Sequence, residues 1–293
     1  RAIYAKLGGG SPILPLTEKQ AVALALALES DEADHEYRVF VAMRYWHPFS
    51  DETAAKVKAW SPDRVVLLPL YPQFSTTTTG SSLKAWEKAA EKADLDAPAH
   101  AICCYPLAAG FQKAVATLLC QARAGDKVHA RVLFSAHGLP KKIIAGGDPY
   151  EWQINETVKG IVAELGDPAL DWAVCYQSRV GPLEWIGPSL DDEIDRAARD
   201  GVPVLVVPVA FVSEHSETLV ELDITYRALA EKRGVPAYAR VPTVGTEALF
   251  IQALAGLVHK ACARATSLGS EGGGRICPQN FSGCLNADTR TGK

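Results

Sequence analysis

Short apolar runs rich in β-branched residues alternate along this chain with longer segments in which apolar residues recur every three or four positions. Such alternation predicts strand–helix–strand units, and hence an α/β fold whose parallel strands are buried on both faces. We predict strands at 38–43, 64–70, 100–104, 131–135, 172–176 and 204–211. Helical spacing predicts helices at 51–60, 81–93, 110–121, 151–165, 190–200, 217–233 and 247–263.

A weak internal repeat indicates that the chain consists of two related halves. The run VLLPL at 66–70 matches LVVPV at 205–209, and a predicted helix follows each copy. We therefore divide the chain into 1–125, 126–266 and an irregular tail at 267–293 that is rich in Gly, Ser and Asn. The first half has no counterpart of the strand at 131–135, so we expect that further sequence precedes Arg1.

Composition and charge exclude several classes of protein. The chain has 293 residues, of which 48% are hydrophobic, and a formal net charge of −4, so it carries no basic excess for a nucleic-acid partner. Its longest apolar run, 21–28, is far shorter than the roughly 20 residues that a membrane-spanning helix needs. Seven cysteines without regular spacing argue against a disulfide scaffold, and they predict a reducing cytoplasm as the compartment.

The most informative polar residues lie directly after predicted strands, where open parallel sheets bind their ligands. His137 follows the strand at 131–135, while Glu214, His215, Glu217 and Glu221 follow the strand at 204–211. Their residue types suit a divalent metal site or an acid/base pair. A histidine bonded within a loop and a solvated acidic helix face would explain the same residues, and their spacing does not decide between these interpretations.

Two further strand ends and turns offer side chains for a ligand. Arg44 and Tyr45 follow the strand at 38–43 and present a cation and a phenol, which suit a carboxylate or a phosphate. An arginine paired with a nearby acid is an equally good explanation. Trp185 lies between two Gly-Pro pairs in GPLEWIGP, where it serves either as a binding surface or as a core residue.

Together these segments resemble the ferrochelatase family, whose members insert ferrous iron into a porphyrin. The resemblance extends from GGGSP at 8–12 to about residue 263, and five motifs occur in the family's order. The motifs are RYWHP at 44–48, LYPQFS at 70–75, SAHGLP at 135–140, CYQSRVGP at 175–182 and FVSEHSETLVELD at 211–223.

The resemblance implies an α/β fold of two similar Rossmann-like, chelatase-type halves, each with a parallel four-stranded sheet flanked by helices. It implies that His137 and Glu217 are the catalytic pair and the metal-site residues. We expect His137 to take the pyrrole protons while Glu217 delivers iron or relays charge. The resemblance also implies a proton or metal path of Glu214, His215 and Glu221, and a porphyrin-binding set of Lys6, Arg44, Tyr45, Tyr150 and Trp185.

The substrates implied by the resemblance are protoporphyrin IX and Fe²⁺. Alternatives are a coproporphyrin III ferrochelatase, another tetrapyrrole chelatase, or a porphyrin or haem carrier without turnover. We expect a cytoplasmic protein with no nucleic-acid partner, and an apolar lip around the pocket would allow peripheral contact with a membrane. The sequence leaves the oligomeric state open.

No tightly bound cofactor is expected. Some family members carry a [2Fe–2S] cluster on cysteines of the C-terminal tail and one internal cysteine. The tail here has Cys277 and Cys284, with Gln279 and Asn280 where a middle cysteine would be expected. The internal position falls in FSTT at 74–77, which has no cysteine. Since four thiolates are the norm for such a cluster, the sequence argues against one.

Overall fold

A computed structural model describes residues 9–31, 35–124 and 129–286 of the chain. Two parallel sheets form its framework, and helices flank both of them. The α/β class expected from the alternation of strands and helices is confirmed. In the described residues the two sheets differ in size, since one has three strands and the other has four.

The four-stranded sheet belongs to the second half of the chain. Its strands are β3 (Arg131–His137), β4 (Trp172–Gln177), β5 (Val204–Pro208) and β6 (Tyr238–Arg240), in the order β4-β3-β5-β6. Every residue of β5 is buried, as is every residue of β3 before His137, because helices cover both faces of this sheet. The parallel register places His137 opposite Gln177, so the polar ends of neighbouring strands meet at one edge.

The three-stranded sheet contains β1 (Val65–Leu67), β2 (Ala99–Ile102) and β7 (Leu268–Gly269), with β2 in the centre. Its third strand comes from the tail, which is therefore not irregular throughout. The predicted strand at 38–43 was wrong, because the backbone there forms only one isolated bridge, between Met43 and Phe49. Residues 38–43 and 64–71 both line a large cavity, which keeps the first segment from pairing with β1.

Helices follow the predicted positions closely, with three corrections. The short helix Lys141–Ala145 was not predicted. An unpredicted helix covers Ile13–Asp31, and the predicted helix at 217–233 has two parts: a π-helix over Glu217–Tyr226 and an α-helix over Arg227–Arg233. The α-helices are α1 (Ile13–Asp31), α2 (Ser50–Trp60), α3 (Thr79–Lys92), α4 (Ala109–Arg123), α5 (Lys141–Ala145), α6 (Tyr150–Leu165), α7 (Leu190–Asp200), α8 (Arg227–Arg233) and α9 (Ala248–Ala263).

The two halves share one hydrophobic core. Helix α9 packs on α1 and α4, and α4 packs on α6, so helices of each half contact helices of the other. Phe111 of α4 and Phe250 of α9 are both fully buried, with ring centroids 5.8 Å apart. This shared core fixes the ends of the two sheets relative to each other. None of the helices in the described part of the chain is long and apolar enough to span a membrane.

Candidate active site

A cavity of about 1160 Å³ lies at the carboxyl ends of the strands. His137 at the end of β3, Phe211 after β5 and Tyr71 after β1 line it, so both halves of the chain contribute. Its remaining lining is mostly apolar and comes largely from α1, the segment 35–45 and the segment 60–71, which includes all of β1. A volume of this size is sufficient for a large flat ligand.

His137 occupies the rim of this cavity with one ring nitrogen free. Its Nδ1 lies 2.6 Å from the carbonyl oxygen of Gly138. Because a carbonyl oxygen only accepts hydrogen bonds, Nδ1 carries the proton, and the neutral imidazole keeps an unprotonated Nε2. That Nε2 lies 3.8 Å from Oε2 of Glu217, and the His137 side chain is 38% exposed. The imidazole is therefore oriented to act as a base toward a ligand in the cavity.

Glu217 lies between two imidazoles. Its Oε2 is 3.8 Å from Nε2 of His137 and also 3.8 Å from Nε2 of His215. The Nδ1 of His215 donates to the carbonyl oxygen of Ser213 at 3.1 Å, which orients the ring with Nε2 toward Glu217. Burial acts to raise the pKa of Glu217, but His215 and His137 outweigh burial and hold that pKa below its ordinary value. The group is a carboxylate at neutral pH.

Gln177 fixes the start of the π-helix against the end of β4. Its Nε2 donates to the backbone oxygen of Glu217 at 3.0 Å and to Oε2 of Glu221 at 2.9 Å. Its Oε1 accepts from Ser135 at 2.8 Å, which orients the amide. Glu221 also accepts from Ser178 at 2.5 Å. Gln177 was not among the predicted site residues, although it follows a predicted strand as His137 does.

Glu214 belongs to an ion-pair network instead of the cavity lining. Its Oε1 accepts from Nη1 of Arg240 and from the backbone N–H of Thr243, each at 2.9 Å. Arg240 also binds both carboxylate oxygens of Asp223 at 2.7 Å. Burial acts to raise the pKa of Glu214, but its hydrogen bonds and the charge of Arg240 lower it overall. The structure thus places Glu214 apart from the pair formed by His137 and Glu217.

The predicted porphyrin-binding residues of the first half lie at the mouth of the cavity. Arg44 donates to Ser81 at 2.9 Å and stacks over the ring of Tyr45, with 4.7 Å from its guanidinium carbon to the ring centroid. Tyr45 is 72% exposed. Tyr71, which was not predicted, also lines the cavity, and burial raises the pKa of its phenol. Lys6 lies outside the described residues.

Tyr150 and Trp185 occupy different environments. The Tyr150 hydroxyl donates to the backbone oxygen of His137 at 3.0 Å, and this buried side chain lines the cavity. Trp185 packs against Gly138, where an added Cβ would come within 3.3 Å of the indole. The indole Nε1 of Trp185 is buried without a hydrogen-bond partner, and Trp185 is not among the cavity-lining residues.

Asp148 was missed by sequence reasoning, although it precedes a proline and a helix. It is 1% exposed, and its Oδ2 accepts from the hydroxyls of Ser75 and Thr76 and from the Thr76 backbone N–H at 2.8–2.9 Å. Its Oδ1 accepts from the backbone N–H of Tyr150 at 3.0 Å. The carboxylate therefore joins a loop of the first half to the start of α6, beside Tyr150.

Four buried cysteines form a second group of metal-ligand type. Cys103 and Cys104 follow β2 directly, and their Sγ atoms are 3.5 Å apart. Cys277 and Cys284 come from the tail, and their thiols contact each other. Gln153 donates to Sγ of Cys104 at 3.5 Å and to Sγ of Cys277 at 3.1 Å, which places the two pairs around one amide. The donor set therefore suits the [2Fe–2S] cluster found in part of the family.

A single-ion site is not preformed in the part of the chain that the structure describes. No three His, Cys, Asp or Glu side chains there are arranged to hold one metal ion. An ion bound between His137 and Glu217 would thus have few protein ligands and keep positions open for water or for another ligand. Such a site suits an ion that passes through it.

Known proteins with similar sequences share one description. Residues 1–262 match the family model named Ferrochelatase. The chain is 51% identical over 286 residues to the ferrochelatase of Caulobacter vibrioides, covering 97% of this chain and 81% of that protein. It is 48% identical over 287 residues to the ferrochelatase of Hyphomonas neptunium, covering 97% and 78%. Against that of Rickettsia bellii it is 47% identical over 286 residues, covering 97% and 79%.

A solved structure shares the architecture. The structure described as SirB from Bacillus subtilis with Fe³⁺ superposes with a TM-score of 0.59 and covers 84% of this chain and 90% of its own. At 13% sequence identity, this likeness supports the fold of two parallel sheets and nothing finer.

Proposed function

Because the chain belongs to the ferrochelatase family, we propose that its cavity holds the porphyrin and that His137 and Glu217 carry out the insertion of iron. Ferrochelatases insert Fe²⁺ into a porphyrin with formation of nitrogen–metal bonds, as a step of haem biosynthesis, and this is the activity of the chain. The observation that carries the residue assignment is the convergence of Nε2 of His137, Oε2 of Glu217 and Nε2 of His215 at the cavity rim.

Insertion of a metal into a porphyrin sets three chemical demands. Two pyrrole nitrogens must lose their protons, the incoming ion must lose water, and the flat ring must distort so that the nitrogen lone pairs reach the ion. A base near the ring centre meets the first demand, and oxygen or nitrogen ligands near that base meet the second.

His137 is the proposed base. Its Nδ1–H is held by the Gly138 carbonyl, so Nε2 is the atom that accepts a pyrrole proton. The imidazolium formed in this way lies 3.8 Å from the Glu217 carboxylate, which stabilises the positive charge. Tyr150 supports the geometry because it donates to the backbone oxygen of His137 and holds the end of β3 in place.

Glu217 and His215 are the proposed ligands for incoming iron. The lowered pKa of Glu217 keeps its carboxylate charged, and Nε2 of His215 lies 3.8 Å from its Oε2. Glu221, four residues further along the π-helix, is the proposed next residue on the path for iron or protons. It accepts hydrogen bonds from Gln177 and Ser178, which hold it in place. Glu214 supports this row indirectly, through Arg240.

Replacement of His137 by alanine tests the base. We expect His137→Ala to lower the rate of Fe²⁺ insertion by about 10²-fold or more, in the range for loss of a general base. Porphyrin should still quench tryptophan fluorescence on binding, because the cavity remains. The exposed His129 provides a matched control, since His129→Ala removes an imidazole away from the cavity lining. Turnover at the wild-type rate in His137→Ala would refute the assignment.

Protoporphyrin IX is the proposed porphyrin, with coproporphyrin III as the alternative. The mostly apolar lining supports this choice, because protoporphyrin carries two vinyl groups where coproporphyrin carries two more propionates. Side-by-side rates of iron insertion with the two porphyrins would decide. A higher kcat/KM for coproporphyrin would overturn the choice. A non-catalytic carrier is disfavoured because a pure binding site needs no base beside a carboxylate.

Contact with the surface of a membrane is proposed for a cytoplasmic protein. Exposed aromatic side chains near the cavity mouth support this: Tyr45 is 72% exposed, Trp46 is 64% exposed and Phe49 is 38% exposed. Aromatic rings of this kind partition into the interface between lipid and water. Flotation with lipid vesicles tests the idea. We expect the protein to float with the vesicles and the double variant Trp46→Ser, Phe49→Ser to lose this binding. Absence of binding by the wild-type chain would exclude the idea.

A further inference from the structure

Gln20 of α1 is a buried amide that joins the first half of the chain to two loops of the second half. It is 2% exposed, and its Nε2 donates to the carbonyl oxygens of Val212 and Gly245, each at 2.8 Å. Its Oε1 accepts from the hydroxyl of Ser213 at 2.8 Å. Val212 and Ser213 follow β5, whereas Gly245 follows β6. One side chain therefore ties two strand-end loops to a helix of the other half.

The three hydrogen bonds fix the orientation of the amide and use both of its N–H groups. The two carbonyl oxygens can only accept, so they face Nε2, and the Ser213 hydroxyl then donates to Oε1. Gln20 lines the cavity, yet both of its donors are bound to the protein. Its effect on a reaction in the cavity therefore acts through the loops that it holds.

Ser213 connects this amide to His215. The Ser213 hydroxyl donates to Gln20, while the carbonyl oxygen of the same residue accepts from Nδ1 of His215 at 3.1 Å. That hydrogen bond orients the imidazole so that its Nε2 lies 3.8 Å from Oε2 of Glu217. A shift of Ser213 would therefore move the imidazole relative to the carboxylate.

From this chain of contacts we propose that Gln20 is a positioning residue for iron insertion, a role that rests on the proposed function of His215 and Glu217 as ligands for incoming iron. Gln20 holds Ser213 in place, and Ser213 holds the imidazole of His215 beside Glu217. Because Gln20 belongs to α1 and its partners belong to the second half, the geometry of the iron ligands depends on contact between the halves. Loss of the amide should affect the steps that involve iron and spare the binding of porphyrin.

Gln20→Met tests the amide, because methionine fills a similar volume and has no N–H. We expect kcat for Fe²⁺ insertion to fall about tenfold and KM for Fe²⁺ to rise about threefold, as for a misplaced reacting group. KM for the porphyrin should change by less than about twofold. Gln20→Glu keeps the shape and an acceptor for Ser213 but sets an oxygen against two carbonyl oxygens, so its kcat should fall at least as far. Wild-type kinetics in both variants would overturn the proposal.

Gln112→Met is the matched control for the loss of a buried amide. Gln112 of α4 is 8% exposed, donates to the carbonyl oxygen of Pro106 at 3.1 Å and stands outside the cavity lining. Gln112→Met should lower the stability of the fold and leave kcat and both KM values unchanged. A loss of kcat equal to that of Gln20→Met would show that any buried amide has the same effect, which would refute a positioning role for Gln20.

A double-mutant cycle separates positioning from a general loss of structure. In Glu217→Gln the group that Gln20 helps to place is already disabled, so the further change Gln20→Met should lower kcat by less than about twofold. The same tenfold loss in both backgrounds would show a structural role and would refute the inference alone. Unchanged kcat in Glu217→Gln itself would refute the proposed function, and the inference with it.

Ser213→Ala covers the case in which the variants of Gln20 fail to fold. It removes one of the three hydrogen bonds of the amide and leaves the two to the carbonyl oxygens in place. We expect a fall in kcat of about threefold, a rise in KM for Fe²⁺ and little change in KM for the porphyrin. A folded Ser213→Ala protein with unchanged kcat and unchanged KM for Fe²⁺ would contradict the connection through Ser213.

Discussion

The pair of His137 and Glu217 and the group of four cysteines both stand at the carboxyl ends of parallel strands, yet their surroundings are opposite. His137 and Glu217 are 38% and 33% exposed and open onto a cavity, whereas no cysteine of the group exceeds 6% exposure. The first site has nitrogen and oxygen atoms with free lone pairs, and the second has only sulfur. Exposed, sparse ligands allow an ion to enter and leave, while buried, soft ligands retain what they bind.

In these two sites the position in the fold and the chemical role have different causes. Ligand side chains collect at strand ends because the parallel sheet directs all of its strand ends to one edge. Whether a site there exchanges or retains a metal depends on what covers it. The tail covers the cysteines, and nothing in the described part of the chain covers the cavity mouth beside Tyr45 to the same degree.

The largest expected effect is on the site of His137 and Glu217. Glu217→Gln keeps the size of the side chain and removes its charge, so we expect kcat for iron insertion to fall by about 10²-fold or more. Glu91→Gln on the exposed face of α3 is the control. A Glu217→Gln enzyme with unchanged kcat would remove the carboxylate from the mechanism.

Asp148 lies between the two sites, and its loss should affect stability. Asp148→Ala leaves the buried Ser75 hydroxyl and the buried N–H of Tyr150 without this acceptor, which should cost about 2–4 kcal/mol in the free energy of unfolding. Urea denaturation followed by circular dichroism measures this. Asp96, whose side chain is 96% exposed, is the control residue, and Asp96→Ala should change stability by less than about 0.5 kcal/mol. Equal effects of the two substitutions would contradict the role given to Asp148.

Glu271, beside the buried cysteines, should make the stability of the fold depend on pH. Burial raises the pKa of this carboxyl to about 7, and its backbone N–H bonds the carbonyl oxygen of Cys104. Because the pKa is higher in the folded chain, the folded state is penalised as Glu271 ionises, and stability is lost as pH rises from about 4.5 through 7.

Glu271→Gln removes that penalty and retains an oxygen that can accept from Leu107. The variant should therefore gain stability relative to the wild-type chain at pH 8 and gain none at pH 4. Thermal unfolding of both chains across this range provides the measurement. A stability difference that does not vary with pH would show that Glu271 does not titrate as described.

The smallest expected effect is on porphyrin binding by Arg44, at the mouth of the cavity. Arg44→Gln should raise KM for the porphyrin about fivefold with little change in kcat, because a partly exposed ion pair contributes about 1 kcal/mol. Arg44→Lys keeps the charge and should recover part of the loss. A kcat effect larger than the KM effect would place Arg44 closer to the reacting atoms.

The positions of strands and helices follow from local patterns and were largely predictable. The buried runs at 132–134 and 204–208 are apolar because both faces of their sheet are covered. The sequence alone predicted that His137 and Glu217 lie near each other, because both follow parallel strands whose ends share one edge of the sheet. The same reasoning misassigned residues 38–43, since alternation reports extended backbone and burial but does not report whether a partner strand lies alongside.

The remaining features depend on contacts between distant residues. The spacing of Glu214, Glu217 and Glu221 predicted one helix face, but Glu214 precedes the π-helix and is bound by Arg240 of β6. No spacing in the sequence reveals that partner. The cysteine group joins residues that are more than 170 positions apart in the sequence, through the buried amide of Gln153. The adjacent cysteines at 103–104 were visible in the sequence, but only packing of the tail against β2 shows what they face.

The π-helix at Glu217–Tyr226 makes the length of this segment as important as its composition. A π-turn holds more residues than an α-turn, so deletion of one residue between Glu217 and Arg227 would allow the chain to close into an ordinary α-helix. Every side chain before the deletion would then rotate by about 100° relative to those after it. The Glu217 carboxylate would turn away from His137 although every residue of the catalytic pair remained in place. Substitutions along this helix other than at Glu217 and Glu221 should therefore be tolerated more readily than any change in its residue count.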